Sequence, residues 1–208
     1  MTAIKKKKRE GTLFVISAPS GSGKSTLCLE LLRKIPGIKL SVSYTTRKPR
    51  KGETNNIHYT FISQKRFKNM INSGEFAEWA MVHGNLYGTS IKRLKKLNKE
   101  GYDIILDIDV QGAYQVKNNY KDAVYIFILP PSMEILKQRL MNRKTDTKEA
   151  ITRRLDRAKD EILSYKEYDY VIINDKLEKA YRDLESIIIS VRLKTKNFDH
   201  KKIIDFIK

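Results

Sequence analysis

The stretch Ser17-Ala18-Pro19-Ser20-Gly21-Ser22-Gly23-Lys24-Ser25-Thr26 has the make-up of a loop that cradles phosphate. Gly21 and Gly23 let the backbone curl until several N–H groups converge, and a helix starting behind them adds its positive end. Lys24 is spaced to reach the β- and γ-phosphates of a nucleotide, and Ser25 to place a hydroxyl on Mg²⁺. Ala18 stands where the usual pattern begins with Gly, which loosens the pattern match but removes none of these groups. The chemistry implied is binding of a nucleoside triphosphate.

Two further sets of residues could complete such a site. Asp107 and Asp109 close the apolar run Asp103–Ile108, so they emerge at the carboxyl edge of a strand, where open α/β sheets place ligands. One can serve a metal ion while the other serves a different ligand, although either could simply cap a helix. In Ser43-Tyr44-Thr45-Thr46-Arg47-Lys48-Pro49-Arg50, two arginines three apart are braced by Pro49 and followed by Tyr59. Such a loop is either a solvated basic face or a phosphate clamp of guanidinium forks and a phenol.

The elements that must hold these groups follow from hydrophobic pattern. Thr12–Ser17 is an unbroken apolar strand; Leu27, Leu31, Leu32 and Ile35 then recur at helical spacing until Pro36-Gly37 stops the helix. Apolar runs return at Asp103–Ile108, Ala123–Leu129 and Tyr170–Ile173, followed by helical stretches at Gln111–Asn118, Met133–Leu140 and Leu177–Leu193. Strand alternating with helix, with strands apolar on both faces, predicts an α/β fold: a parallel sheet covered by helices. Two segments break this rhythm. Residues 41–87 are too long for a crossover and partly alternate, and read as an inserted α+β lobe. Residues 142–154 are strongly charged, contain no strand and join two helices, and read as a small helical lid.

Composition sets outer limits. The chain has 208 residues, 40% of them hydrophobic, which suits one domain with an insertion. A single cysteine, Cys28, excludes a disulfide framework, and no apolar run is long enough to span a membrane. The expected location is the cytoplasm, with residues 1–11, which carry Lys5-Lys6-Lys7-Lys8-Arg9, a disordered basic tail. The formal charge of +18 fits a nucleic-acid binder or a Lys-rich protein that binds small polyanions, and only the placement of the cations separates the two.

The stretches SAPSGSGKST, SVSYTTRKPRKGE with Tyr59-Thr60-Phe61, GEFAEWA, GNLYGTS, ILDIDVQG, FILPPS and YDYVIIND, in that order, resemble guanylate kinases from about Leu13 to Val191. The resemblance implies a P-loop core (12–40, 88–141 and 155–195), a GMP-binding lobe (41–87) and a lid (142–154), within one domain over 12–208. It implies Mg²⁺-dependent transfer of the ATP γ-phosphoryl group to GMP, with dGMP as a second acceptor, in purine nucleotide metabolism. By the same resemblance Arg47, Arg50, Tyr59 and Tyr87 hold the acceptor phosphate. Ser43, Glu78 and Asp109 read guanine, with Thr89 near the base. Arg139, Arg143 and Arg154 come over the transferring group. The phosphate loop and Asn174 hold ATP, and Ser25 and Asp107 hold Mg²⁺. Two departures stand out: Asn55-Asn56 replaces a glycine turn before Tyr59, and Lys144 replaces a glycine after Arg143.

The base-reading set makes chemical sense. Guanine presents N1–H and N2–H₂ as adjacent donors and O6 as an acceptor, so two carboxylates and a serine hydroxyl match it. Adenine has no N1–H and would leave a carboxylate unpaired, at a cost of about 1–3 kcal/mol or more. Three other readings compete: an inactive guanylate-kinase-like interaction module, a P-loop enzyme acting on nucleic acid, and an adenylate kinase. The intact Gly21, Gly23, Lys24 and Ser25 speak against the first. The second leaves Ser43, Glu78 and Asp109 unexplained. Ser25-Thr26 after Lys24 departs from the usual adenylate kinase loop. The expected partners are therefore ATP and GMP, with no specific nucleic acid and no membrane, in a monomer or a homo-oligomer. The excess charge then acts through electrostatic steering of anionic substrates.

Overall fold

A computed structural model describes residues 10–82, 84–142, 147–198 and 200–206. Arg143, Lys144, His83 and the Lys5–Arg9 run lie outside them. The chain runs β1 (Leu13–Ser17), α1 (Lys24–Lys34), β2 (Ile38–Leu40), β3 (Tyr44–Thr45), β4 (Thr60–Phe61), α2 (Gln64–Asn72), β5 (Phe76–Val82) and β6 (Asn85–Ser90). It continues through α3 (Ile91–Lys99), β7 (Asp103–Asp107), α4 (Val110–Asn119), β8 (Val124–Leu129), α5 (Met133–Met141) and α6 (Lys148–Leu163). β9 (Tyr170–Ile173), α7 (Leu177–Arg192) and α8 (His200–Phe206) complete it.

Five strands make the expected parallel sheet, in the order β2-β7-β1-β8-β9. Its central strands are largely apolar because helices cover both faces there. Phe14 and Ile16 point into a core shared with Leu27 and Leu31 of α1 and Leu184 and Ile188 of α7. Leu13 and Val15 point the other way, into a core with Leu94 of α3 and Ala113 and Val116 of α4. This two-sided burial is what an unbroken apolar strand requires. The central position of β1 matters most for function. β7 pairs with it on one side, with Ile16 opposite Asp107, and β8 pairs on the other. The phosphate loop and the Asp107–Asp109 segment therefore leave the same edge of the sheet side by side.

The insertion is built on a second, four-stranded sheet in the order β4-β3-β6-β5. Its last strand in sequence, β6, runs to Ser90, three residues past the expected edge of the lobe at Tyr87. The reason is pairing: Thr89 and Ser90 continue the antiparallel ladder opposite Glu78 and Phe76. The lid segment also differs from a separate flap. Helix α6 starts at Lys148, capped by the Thr147 hydroxyl, and continues unbroken to Leu163, so Arg154 sits within one helix that belongs to lid and core alike. Strand β2 is three residues long, too short to stand out as an apolar run. Among the described residues, no helix is long and apolar enough to cross a membrane.

Candidate active site

The phosphate loop has the backbone its glycines foretell. Gly23 has φ +87° and caps α1 with no side-chain oxygen, leaving the first N–H groups of the helix facing outward. It is held from behind. A Cβ on Gly23 would lie 2.3 Å from the Asn174 amide nitrogen, and that buried amide donates to the Ser22 carbonyl at 2.7 Å. Asn174 thus touches the loop on its inner side, and its own carbonyl accepts from Arg139 Nη2 at 2.9 Å. Arg139 Nη1 is buried without a hydrogen-bond partner among the described residues.

In front of the loop, Lys24 Nζ is 2.6 Å from Asp107 Oδ1 and donates to the Ile108 carbonyl at 2.7 Å. Ser25 Oγ donates to the other Asp107 oxygen at 3.0 Å. A cation, a hydroxyl and a carboxylate therefore meet where two clefts join. One cleft, of about 470 Å³, is lined by the loop from Ala18 through Thr26 except Ser22, which is buried, and by Arg154, Arg157 and Glu161 from α6. The other, of about 320 Å³, is lined by Ser43, Tyr59, Glu78 and Tyr87 of the inserted lobe. Lys24, Ser25, Tyr59, Asp107 and Asp109 line both.

At the far end of the second cleft lies a buried carboxylate. Glu78 is 5% exposed, and Thr89 Oγ1 donates to its Oε1 at 2.6 Å. Burial, partly offset by this hydrogen bond and reinforced by nearby Asp109, pushes the Glu78 carboxyl up to about 7. Thr89 is itself fully buried, so it stands behind the carboxylate. Asp109 caps α4 by accepting from Gly112 N at 2.8 Å, which realises the helix-cap alternative without taking Asp109 out of the cleft. Gly112 leaves the room between them: a Cβ there would come within 3.0 Å of Glu78 Oε2 and 3.5 Å of Asp109 Oδ1.

At the near end, Arg47 Nε donates to Tyr87 Oη at 3.2 Å, and its guanidinium lies 5.4 Å from the centre of the Tyr59 ring. Its other nitrogens form a fork onto Glu53, at 2.9 and 2.7 Å. Glu53 also accepts from the backbone N–H of Arg50 at 2.7 Å, and these contacts hold its carboxyl down to about 2. The side chain of Arg50 is exposed on the loop and does not line the cleft.

The expected residues thus fall into groups. Ser43, Tyr59, Glu78, Tyr87 and Asp109 share a cleft with Lys24, Ser25 and Asp107, with Arg47 and Thr89 directly behind. Arg154 faces the phosphate loop. Asn174 reaches that loop from the core side, Arg139 bonds Asn174 behind it, and Arg143 lies outside the described residues. Sequence reasoning passed over Glu53, Arg157, Glu161, Gly112 and Ser41, whose buried hydroxyl has no partner among the described residues and lines the second cleft. Glu53 left a signal, as the one acid in a basic loop. Arg157 and Glu161 stand three and seven residues after Arg154, one helix face. Gly112 and Ser41 left none.

Comparison with known proteins bears on all of this. Residues 10–191 match the family model described as guanylate kinase. The chain is 52% identical over 188 residues to a guanylate kinase of Geobacter metallireducens, covering 90% of this chain and 93% of that one. It is 54% identical over 185 residues to one from Methylobacillus flagellatus, covering 89% and 92%. Among solved structures, a guanylate kinase from Anaplasma phagocytophilum superposes with a TM-score of 0.74 at 34% identity, over 93% of this chain and 92% of its own.

Proposed function

The chain belongs to the guanylate kinase family and is an ATP:GMP phosphotransferase; we propose that its two joined clefts hold the two nucleotides with their phosphates meeting at Lys24 and Asp107. The observation that carries this is the shared wall: Lys24, Ser25, Tyr59, Asp107 and Asp109 line both clefts, so two phosphates bound on either side would approach each other there.

ATP takes the loop side. The backbone N–H groups of the loop from Gly23 to Thr26 and the Lys24 ammonium receive its phosphates, as oriented donors at the start of α1. Asn174 supports the loop through Ser22, and Arg139 supports Asn174. GMP takes the lobe side. Glu78 and Asp109 accept from guanine N1–H and N2–H₂, and Ser43 donates to O6. Arg47, Tyr59 and Tyr87 hold the phosphate, with Arg50 joining from the loop. With the base and phosphate as the assigned points of recognition, dGMP is a second acceptor on this reading.

Ser25 Oγ and the Asp107 carboxylate fit Mg²⁺, being hard oxygen donors that already converge at the junction. Bound there, Mg²⁺ would neutralise charge on the ATP phosphates. The acceptor is already an anionic phosphate, so the chain supplies no general base. Its task is to align the two phosphates and to balance charge on the moving group, with Lys24, Arg47, Arg139, Arg143 and Arg154 as the cations. The helix that carries Arg154 also brings Arg157, and closing it over the donor side would exclude water as a competing acceptor. We place the protein in the cytoplasm, within purine nucleotide metabolism.

The test is ADP release with ATP and Mg²⁺, comparing GMP, dGMP, AMP, UMP and CMP. Turnover with GMP and dGMP far above the others is expected. Turnover with AMP equal to that with GMP would contradict the base-reading assignment.

A further inference from the structure

Arg93, the third residue of α3, lies outside both clefts, yet its guanidinium binds three separate parts of the acceptor lobe. Nη1 donates to the Val42 carbonyl at 2.9 Å and to Thr60 Oγ1 at 2.7 Å, and Nη2 donates to Asn56 Oδ1 at 3.1 Å. Its plane also sits 4.8 Å from the centre of the Tyr44 ring. All three acceptors are neutral, so these contacts hold backbone and turn in place without neutralising an acid.

What they hold is specific. Val42 and Tyr44 flank Ser43, so the guanidinium grips the chain on both sides of the residue assigned to guanine O6. Asn56 and Thr60 flank the turn that carries Tyr59: Asn56 N donates to the Tyr59 carbonyl at 2.7 Å, and Thr60 Oγ1 donates to Asn56 Oδ1 at 2.9 Å. Thr60 N in turn donates to the Ser43 carbonyl at 2.8 Å. Asn56 has φ +63°, a left-handed conformation that glycine adopts more readily. Its side chain offers what glycine lacks, one oxygen that receives both Arg93 and Thr60. The helix bearing Arg93 is anchored to the parallel sheet by buried Leu94. Arg93 therefore refers the lobe's position to the same sheet that carries the phosphate loop.

We propose that Arg93, acting with Asn56, is a positioning residue for the acceptor nucleotide: it sets Ser43 and Tyr59 in register with the core and so tunes GMP affinity without touching either substrate. This rests on the assignment of the lobe cleft to GMP.

The experiment compares the wild type with Arg93→Ala, Arg93→Lys, Asn56→Gly, the Arg93→Ala/Asn56→Gly double variant, and Arg47→Ala as a control on the cleft. Steady-state constants are measured for GMP and ATP. Arg93→Ala is expected to raise the KM for GMP about tenfold, with Arg93→Lys intermediate because an ammonium cannot reproduce the fork. Asn56→Gly keeps the backbone conformation and is expected to raise it about threefold. The double variant should exceed Arg93→Ala by less than the roughly threefold effect of Asn56→Gly alone, because its Asn56–Arg93 bond is already lost and only the Asn56–Thr60 bond remains to be removed. The KM for ATP should stay within about twofold throughout. If Arg47→Ala weakens GMP but the Arg93 and Asn56 variants do not, the proposal fails and the cleft assignment stands. If GMP and ATP suffer alike, Arg93 is only a structural brace and the proposal fails. If Arg47→Ala leaves the KM for GMP unchanged, the cleft assignment fails and takes the proposal with it. Should Arg93→Ala not fold, Arg93→Lys and Asn56→Gly carry the same comparison.

Discussion

The two clefts assigned to ATP and GMP are built from different materials. The donor side is chiefly main chain: a glycine turn, the open end of α1 and one lysine, with Asn174 supporting it from inside. The acceptor side is chiefly side chains, desolvated and tied to partners: Glu78 to Thr89, Arg47 to Glu53 and Tyr87, Asp109 to Gly112. Backbone N–H groups recognise phosphate whatever base is attached. Discrimination between bases needs buried groups that lose their partners when the wrong base arrives. On the proposed assignment, generic and selective binding are separated in space, and substitutions should separate them in kinetics.

The largest effect should come from the donor side. Lys24→Ala should lower kcat by about a thousandfold or more, because it removes the cation at the junction. GMP binding measured by calorimetry without ATP should change little. A matching loss of GMP affinity would show that the two sides are not separable.

Gly112→Ala should act on the opposite side. The added methyl would press on Glu78 and Asp109, raising the KM for GMP about thirtyfold and leaving that for ATP unchanged. Alanine favours helix over glycine, so α4 should persist by circular dichroism and the loss can be read as one of recognition.

Proton linkage gives Glu78 two opposite signatures. Its carboxyl is raised in the fold from about 4.5 to about 7. Its contribution to stability is therefore fully present below about pH 4.5 and is lost as pH rises through about 7. GMP needs the ionised form to accept N1–H, so the KM for GMP should fall by up to about tenfold between pH 6 and pH 8 while thermal stability from this group declines. Glu78→Gln should flatten both trends apart from the titration of GMP itself. A KM that rises with pH would contradict the assignment.

Salt should give the smallest effect. Excess positive charge steers anions, so kcat/KM for both substrates should fall severalfold between low and physiological salt while the preference for GMP over AMP holds. A preference that shifts with salt would tie base choice to surface charge.

Much of this was legible in the chain because it is local. The phosphate loop follows from glycine spacing, the parallel sheet from unbroken apolar strands, and Asp107 from its place at a strand end. The family resemblance added Glu78 and Ser43, which no local pattern marks. What stayed hidden depends on contacts between distant segments. Asn174 reaches Ser22 across 152 positions, and Arg93 reaches Val42 across 51. Glu53 lay in plain view, but that its carboxylate would take Arg47 rather than solvent depends on how the turn folds. The lobe's edge at Ser90 was set by a strand partner, which hydrophobic pattern does not report. The asymmetry is itself informative: the cleft proposed for ATP phosphates is encoded in neighbours, the one proposed to read the base in tertiary pairs.

The most direct test of that division is Glu78→Gln, measured as the ratio of kcat/KM for GMP to that for AMP, with the KM for ATP taken on the same preparations. Glutamine keeps the volume and an acceptor but brings an amide donor against guanine N1–H. The account predicts that the ratio falls by at least about tenfold while the KM for ATP stays within about twofold. A ratio that does not change, or a KM for ATP that rises as far as that for GMP, would contradict it.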